Sequence, residues 1–192
     1  EAARQAPTPL WQFDWINLVR TVGGHATRIP LPAPYTGQSL QALLFHHDDD
    51  AWMCVGERGV LRYQHAQWYR QPRLPEQACS SMAMASDGAV LLGYADGRLR
   101  RMDDRGVATF DTRQGLAVGP VTALLQDQDM LLVAGEAGLA ARIGDGHFSE
   151  VRTDMAGVLE GITGMVADAH GRLWLNGSRG LVRLDRTALR TA

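Results

Sequence analysis

Short apolar runs separated by polar turns dominate this chain. Leu40 to Phe45, Met82 to Ala85, Val121 to Leu125 and Ile162 to Ala167 each open a segment. A polar turn follows, such as Ser86-Asp87-Gly88 or Ala169-His170-Gly171, and then a second apolar run that ends on a glycine-flanked turn. Past that turn the residues alternate, as in Leu181, Val182, Arg183 and Leu184, the mark of a strand with one wet face. A last short run closes the segment in "QWYRQ", "VATFDT" and "FSEVR". The pattern predicts four short strands per segment, joined by tight turns. Helical spacing of Val121, Leu124 and Leu125, and the helix formers of "AGLAARI", compete with this reading locally. Gly135 and Gly138 fall inside that window, and the same columns elsewhere hold Trp, Val and Leu, so strand is read throughout.

The segments are copies of one another. "HHDDDAWMCVGERGVLRY", "ASDGAVLLGYADGRLRRM", "LQDQDMLLVAGEAGLAARI" and "ADAHGRLWLNGSRGLVRL" align on Gly59, Gly97, Gly138 and Gly180, which stand 38, 41 and 42 residues apart. A steady period of about 40 residues, with four strands and no helix per copy, predicts an all-β chain of antiparallel β-propeller blades. One such sheet cannot bury two apolar faces alone, whereas stacked sheets cover each other. Gly56, Gly59, Gly97, Gly138, Gly177 and Gly180 are read as turn geometry, and Trp174, Leu91 and Leu132 as one packing column. In the first copy Met53 falls in that column with Trp52 beside it, which predicts a one-residue slip or bulge.

Blades are expected over 38–75, 76–116, 117–157 and 158–192, the last finishing with a strand at Ala188 to Ala192. Over 10–37, "NLVRTVGGHATRIPLP" reads as the back half of a blade, two strands about a Gly-Gly turn. Four blades and a half predict a segment of a larger propeller.

Composition narrows the function classes. Lys plus Arg number 19 against 21 Asp plus Glu, a formal charge of −2, and no basic excess points to nucleic acid. No run approaches the roughly 18 apolar residues of a membrane span, so membrane contact by this segment is not expected. The start at Glu1 shows neither the basic opening nor the apolar centre of a signal peptide, and reads as a processed chain or an excised piece. Cys54 and Cys79 are too few for a disulfide framework and wrongly spaced for a zinc ribbon. Both lie in strand-like segments, which leaves two buried thiols or a disulfide between neighbouring strands.

Over Ile162 to Asp185 the sequence resembles the two-component regulator propeller repeat. Asp168, Gly171, Leu173, Trp174, Gly177, Gly180, Leu181 and Asp185 follow that repeat position by position. The second copy keeps Asp87-Gly88, Gly97 and Leu99 but has Leu91 for the tryptophan, and the third has Asp129 where the first-turn glycine would stand. The resemblance covers roughly Gln38 to Arg186. It implies a non-catalytic sensor module, periplasmic or extracellular, belonging to a receptor whose kinase or cyclase output lies outside this segment. It further implies signal input by a small molecule, an oligosaccharide or a protein partner, and a homodimer of the full receptor. A propeller scaffold of the WD-repeat kind and a propeller enzyme acting on polysaccharide are the alternatives.

Chemistry-bearing residues are sparse. His46 to Asp50, "HHDDD", is the densest set of potential ligands, but neighbours on an extended strand point to opposite faces, so a solvated turn is read there and no metal site. No nucleophile elbow, zinc-protease helix or phosphate-cradling loop occurs, and no cofactor is expected. Asp96, Glu136 and Glu160 could meet as a glycosidase-like acid/base pair. Recognition is better placed on the turns between second and third strands, which emerge on one end of a propeller. They carry Glu57 and Arg58, Tyr94 and Asp96, Glu136, and Ser178 and Arg179, a mixed set suited to a polar ligand or partner surface. Trp68 and Tyr69, on an outer strand, are read as covering an edge.

Overall fold

The structure, a computed structural model, describes residues 9–47, 50–187 and 189. Among these residues every extended segment joins one of five antiparallel sheets, and the only helices are three single 3-10 turns. The chain divides into two compact units, Glu1–Ala78 and Cys79–Ala192. No helix is long and apolar enough to cross a membrane among the described residues.

The first unit holds two sheets. Strands β1 (Leu10–Phe13), β2 (Asn17–Val22) and β3 (His25–Pro30) form a three-stranded sheet in that order. The sequence reading has two strands here; β1 is the addition, paired Trp11↔Arg20 and Phe13↔Leu18. Strands β4 (Leu40–His47), β5 (Asp50–Val55), β6 (Val60–Gln64) and β7 (Gln67–Arg70) form a full four-stranded blade. Leu18, Leu31, Tyr35, Met53 and Leu61 make their common core, with Trp11 stacked on Phe45 at 4.8 Å. Trp68 acts as a strap, donating its indole N–H to the Pro30 carbonyl at 2.8 Å.

The first copy's ladder is irregular at Leu40/Ala42 and Phe45/His47, on the β4 side, and the first of these irregularities recurs at Cys79/Ser81 and Val121/Ala123; pairing of β5 with β6 runs without a shift through Trp52 and Met53. Met53 packs toward Leu18, and Trp52 lies on the opposite face with the Arg62 guanidinium 4.8 Å above its ring. Within the "HHDDD" stretch, Asp50 departs from the solvated turn expected, while His46 is exposed. β4 runs on to His47 and β5 opens at Asp50, which is 5% exposed and gripped by Arg62 through bonds of 2.9 and 2.8 Å. Burial pushes the Asp50 pKa up, but the Arg62 and His46 partners outweigh it and hold the carboxyl below its ordinary range. Asp48 and Asp49 lie outside the described residues.

The second unit stacks three sheets. They are β8 (Cys79–Met84), β9 (Val90–Tyr94), β10 (Leu99–Asp103) and β11 (Gly106–Phe110); β12 (Val121–Asp127), β13 (Met130–Gly135), β14 (Gly138–Ile143) and β15 (Ser149–Glu150); and β16 (Gly164–Ala167), β17 (Arg172–Gly177) and β18 (Gly180–Asp185). β13, sequence MLLVAG, is buried along its whole length because it serves two cores. Leu131 and Val133 meet Leu91, Leu99 and Val121 on one side, while Met130 and Leu132 meet Ile162, Leu173 and Leu175 on the other. Leu91 and Leu132 are 1% and 0% exposed, as the packing column requires. Trp174 stands on the outer face of β17, half-buried, beside the exposed Val166 and Leu181. The strand expected at Ala188 to Ala192 falls mostly outside the described residues.

Hydroxyl latches join successive sheets. Ser80 Oγ donates to the Val121 carbonyl, and Thr122 Oγ1, at the corresponding place one repeat later, donates to that of Ile162. Thr163, next in the series, turns instead to Asn176 of its own sheet at 3.4 Å. The close passage of the links explains the first glycine of each turn: a Cβ on Gly135 would stand 2.3 Å from the Val118 carbonyl oxygen. Gly180, by contrast, has open space around it and is required for its φ of 100°. Cys54 and Cys79 are both fully buried, and neither is a free thiol.

Candidate binding site

The second unit carries an open pocket of about 210 Å³ at the glycine-turn end of β14. It exists because the outermost strand is short. β15 pairs only Ala140↔Glu150 and Ala141↔Ser149, with one further bond from Val151 N–H to the Leu139 carbonyl at 2.8 Å. Beyond that the chain leaves the sheet edge and returns at Gly161, whose N–H reaches the Gly135 and Glu136 carbonyls at 3.1 and 3.3 Å. Leu159, 6% exposed, pins this link into the core. The outer side of Gly138 is left uncovered, and a Cβ there would meet nothing within 4 Å. A second recess of about 180 Å³ adjoins on the other side and shares Ala137, Gly138 and Glu150.

The rim is charged. Arg152 donates from Nε and Nη2 to one oxygen of Glu150 at 3.0 and 2.9 Å, an exposed pair of little energetic weight. Glu160 Oε2 and Arg179 Nη2 lie 3.4 and 3.5 Å from the point where a Cβ on Gly157 would stand. They converge on this one spot without forming an ion pair among the described residues. Ser178 Oγ donates to the Glu160 carbonyl at 3.2 Å, which holds the β17–β18 turn against the link. Met155, 69% exposed, and Thr153 complete the wall. The lining contains no histidine or cysteine, and no group of three potential metal ligands occurs among the described residues.

The turn residues picked out in the sequence are distributed unevenly. Glu160 lines this pocket, Ser178 and Arg179 lie behind it against Glu160 and Gly157, and Glu136 is tied to the link through its backbone carbonyl, which accepts from Gly161; none of the last three lines the pocket itself. Asp96 stays in its own turn, accepting from the Arg98 backbone N–H at 3.1 Å and its guanidinium at 3.4 Å. Tyr94, read as a turn-tip residue, is fully buried, with Arg100 4.4 Å over its ring, and burial raises its pKa against the opposing effect of that guanidinium. Glu57 and Arg58 occupy an exposed 3-10 turn of the first unit. Gly97 approaches the Gly119 carbonyl, and Gly177 the Ile162 side chain, as turn residues hemmed in by the following link. Sequence reading missed Glu150, Arg152 and Met155. Their only signal was an outer strand too short to reach the turn.

At the other end of the last sheet, Asp168 organises the hairpin. It accepts from the Trp174 indole at 3.0 Å, from Arg172 Nε at 2.6 Å and from two backbone N–H groups. These bonds, the indole's foremost, hold its pKa well below the ordinary carboxylate range.

No family model and no curated protein sequence matches the chain. Solved structures do. The extracellular domain of a hybrid two-component system from B. thetaiotaomicron superposes with a TM-score of 0.76 at 15% identity, over 97% of this chain and 27% of that one. Virginiamycin B lyase from Staphylococcus aureus does so with a TM-score of 0.68 at 15% identity, over 92% and 66%. PorZ of Porphyromonas gingivalis, a surface component of the type-IX secretion system, gives 0.70 at 15% identity, over 94% and 31%. The likeness is one of fold. The chain is built of propeller blades, and it spans less than two thirds of each of these proteins.

Proposed function

We propose that this chain is the ligand-recognition part of a signalling receptor exposed outside the cytoplasm, without catalytic activity of its own, and that the pocket over Gly138 is its binding site. The observation that carries this reading is the pocket itself: a recess over bare backbone, lined by groups of both charges, Glu150, Arg152 and Glu160. The fold it shares with extracellular domains of two-component systems supports an extracytoplasmic place and a sensory role. The lyases of the same fold make catalysis the competing reading.

The test is a screen of small polar ligands by calorimetry against the whole chain and against Ala137→Trp, which fills the mouth shared by both recesses. A ligand bound by the parent chain and lost in the variant is expected. Turnover of any screened compound, abolished by Glu136→Gln or Glu160→Gln, would replace recognition with catalysis.

A further inference from the structure

The second recess beside Gly138 belongs to the proposed recognition site, and its lining narrows the ligand; the inference rests on that reading. This recess lies between β14 and the link at residues 115–118. Two backbone bonds fix that link to the sheet, one at each end: Phe148 donates its N–H to the Gln114 carbonyl at 3.0 Å, and Ala137 donates to that of Val118 at 2.8 Å. The walls are small and apolar, from Gly115, Ala117 and Val118 on the link to Gly138, Leu139 and Ala140 on β14. Among the described residues the only charge in this lining is Glu150, which the first pocket shares. Glu150 is half engaged. Both bonds from Arg152 end on its Oε2, and Oε1 accepts none among the described residues. An apolar recess with one open carboxylate oxygen complements a ligand with an apolar body and a single donor group. A charge-assisted hydrogen bond is about twice as strong as a neutral one, so an ammonium suits that oxygen better than a hydroxyl, and a carboxylate is repelled. The volume of about 180 Å³, at the roughly 30 Å³ that a water molecule takes in the liquid, holds about six non-hydrogen atoms.

We infer that this recess binds a small primary amine with a short alkyl body, its ammonium on Glu150 and its body along Ala117 and Gly138. Arg152 is then a competitor for the same carboxylate, not a contact of the ligand.

NMR titration of the whole, isotope-labelled chain with n-alkylamines from propyl to hexyl, and with the alkanol and alkanoate of each length, tests this. The amines are expected to bind and to shift the amides of Ala117 and Gly138, with affinity rising by up to about fourfold per methylene until the recess is full. Alkanols should bind about tenfold more weakly, and alkanoates not at all. Glu150→Gln should weaken the amines to the level of the alkanols, whereas Arg152→Gln should tighten them about threefold by freeing the second oxygen. Ala117→Leu narrows this recess and not the first pocket, so it should weaken hexylamine more than propylamine. All three side chains are exposed, and thermal melts of the variants should match the parent. Amines that do not bind, alkanols that bind as well, or an Arg152→Gln chain that binds amines less tightly overturns the inference. If no amine binds but another ligand does so in an Ala137→Trp-sensitive manner, the amine assignment falls and the recognition reading stands. If no ligand of any class binds, both fall.

Discussion

Replacing Gly135 by alanine adds one carbon at a point 2.3 Å from the Val118 carbonyl oxygen, 2.6 Å from that of Pro120 and 2.9 Å from Val118 Cγ2. Ordinary contact begins at 3.4 Å, so the link must retreat by roughly 1 Å. That retreat is resisted at both ends. Val118 and Val121 are buried in the core between the first two sheets of the unit, and the Val118 and Pro120 carbonyls accept from Ala137 and Glu136. Over-packing against backbone in such a place costs at the upper end of the usual range, about 3 kcal/mol. At an unconstrained site the same substitution stabilises, by about 0.4–1 kcal/mol, because it restricts the unfolded chain. Gly164 is such a site: its φ is not positive, and a Cβ there meets nothing within 4 Å. The two changes are therefore expected to move stability in opposite directions. Thermal denaturation followed by circular dichroism is the assay, with urea melts to convert to free energy. At about 2–4 °C per kcal/mol for a chain of this size, Gly135→Ala should lower Tm by roughly 6–12 °C, and Gly164→Ala should raise it slightly. A Gly135→Ala protein as stable as the parent would refute the close passage of the link, and with it the reason for the first glycine of each repeat.

Three further outcomes are expected. Gly180→Val has free space but an unfavourable backbone angle, so it should cost only about 1–2 kcal/mol, less than Gly135→Ala, in the same melts. Arg62→Met leaves the buried Asp50 carboxylate without its bidentate partner; with Arg62 itself partly exposed, a loss of about 2 kcal/mol is expected at neutral pH. Measured at low pH, where Asp50 is protonated, most of that loss should disappear. Asp111, held down to about 2 by the side-chain and backbone N–H groups of Arg113, and Asp168 both have depressed folded-state pKa values. Their stabilisation is complete above about pH 4 and is lost as pH falls toward 2, so Tm should be flat from pH 7 to 5 and fall below 4. An Asp111→Asn, Asp168→Asn double variant that still shows the full acid slope would assign it to other carboxylates.

The repeat was legible because a blade must return to the same geometry each time. Gly97, Gly138 and Gly180 mark turns at fixed intervals, and Asp87-Gly88 and Asp168 cap the hairpins between them. Which way a side chain points was less legible. Interior blade strands are apolar on both faces, so β9 and β13 carry no alternation from which to tell one core from the other. Tyr94 could thus be read as a tip residue although it is fully buried. Asp50 was hidden for a related reason: its partner Arg62 comes from the next strand, twelve residues away, and only pairing across β5 and β6 brings them together. The pocket was out of reach of any periodic reading. Arg152, Met155 and Glu160 belong to a link with no repeat, whose course is set by where β15 stops and where Gly161 is tied to Gly135. Arg179 and Ser178 were found because they sit on a turn that the repeat does define.

The double duty of β13 bears on how such a chain can change length. The middle sheet of the second unit presents to its predecessor the same kind of surface that its successor presents to it: Leu131 and Val133 on one side, answered by Leu173 and Leu175 one repeat later. Its two faces are interchangeable parts. Excising one whole period, from Val121 to Gly161, would bring together surfaces already shaped for each other, with Ser80 finding the Ile162 carbonyl that Thr122 now holds. Excising a fraction of a period would strand an apolar face with no counterpart. Growth and loss by whole modules are thus built into the strand that has no outside.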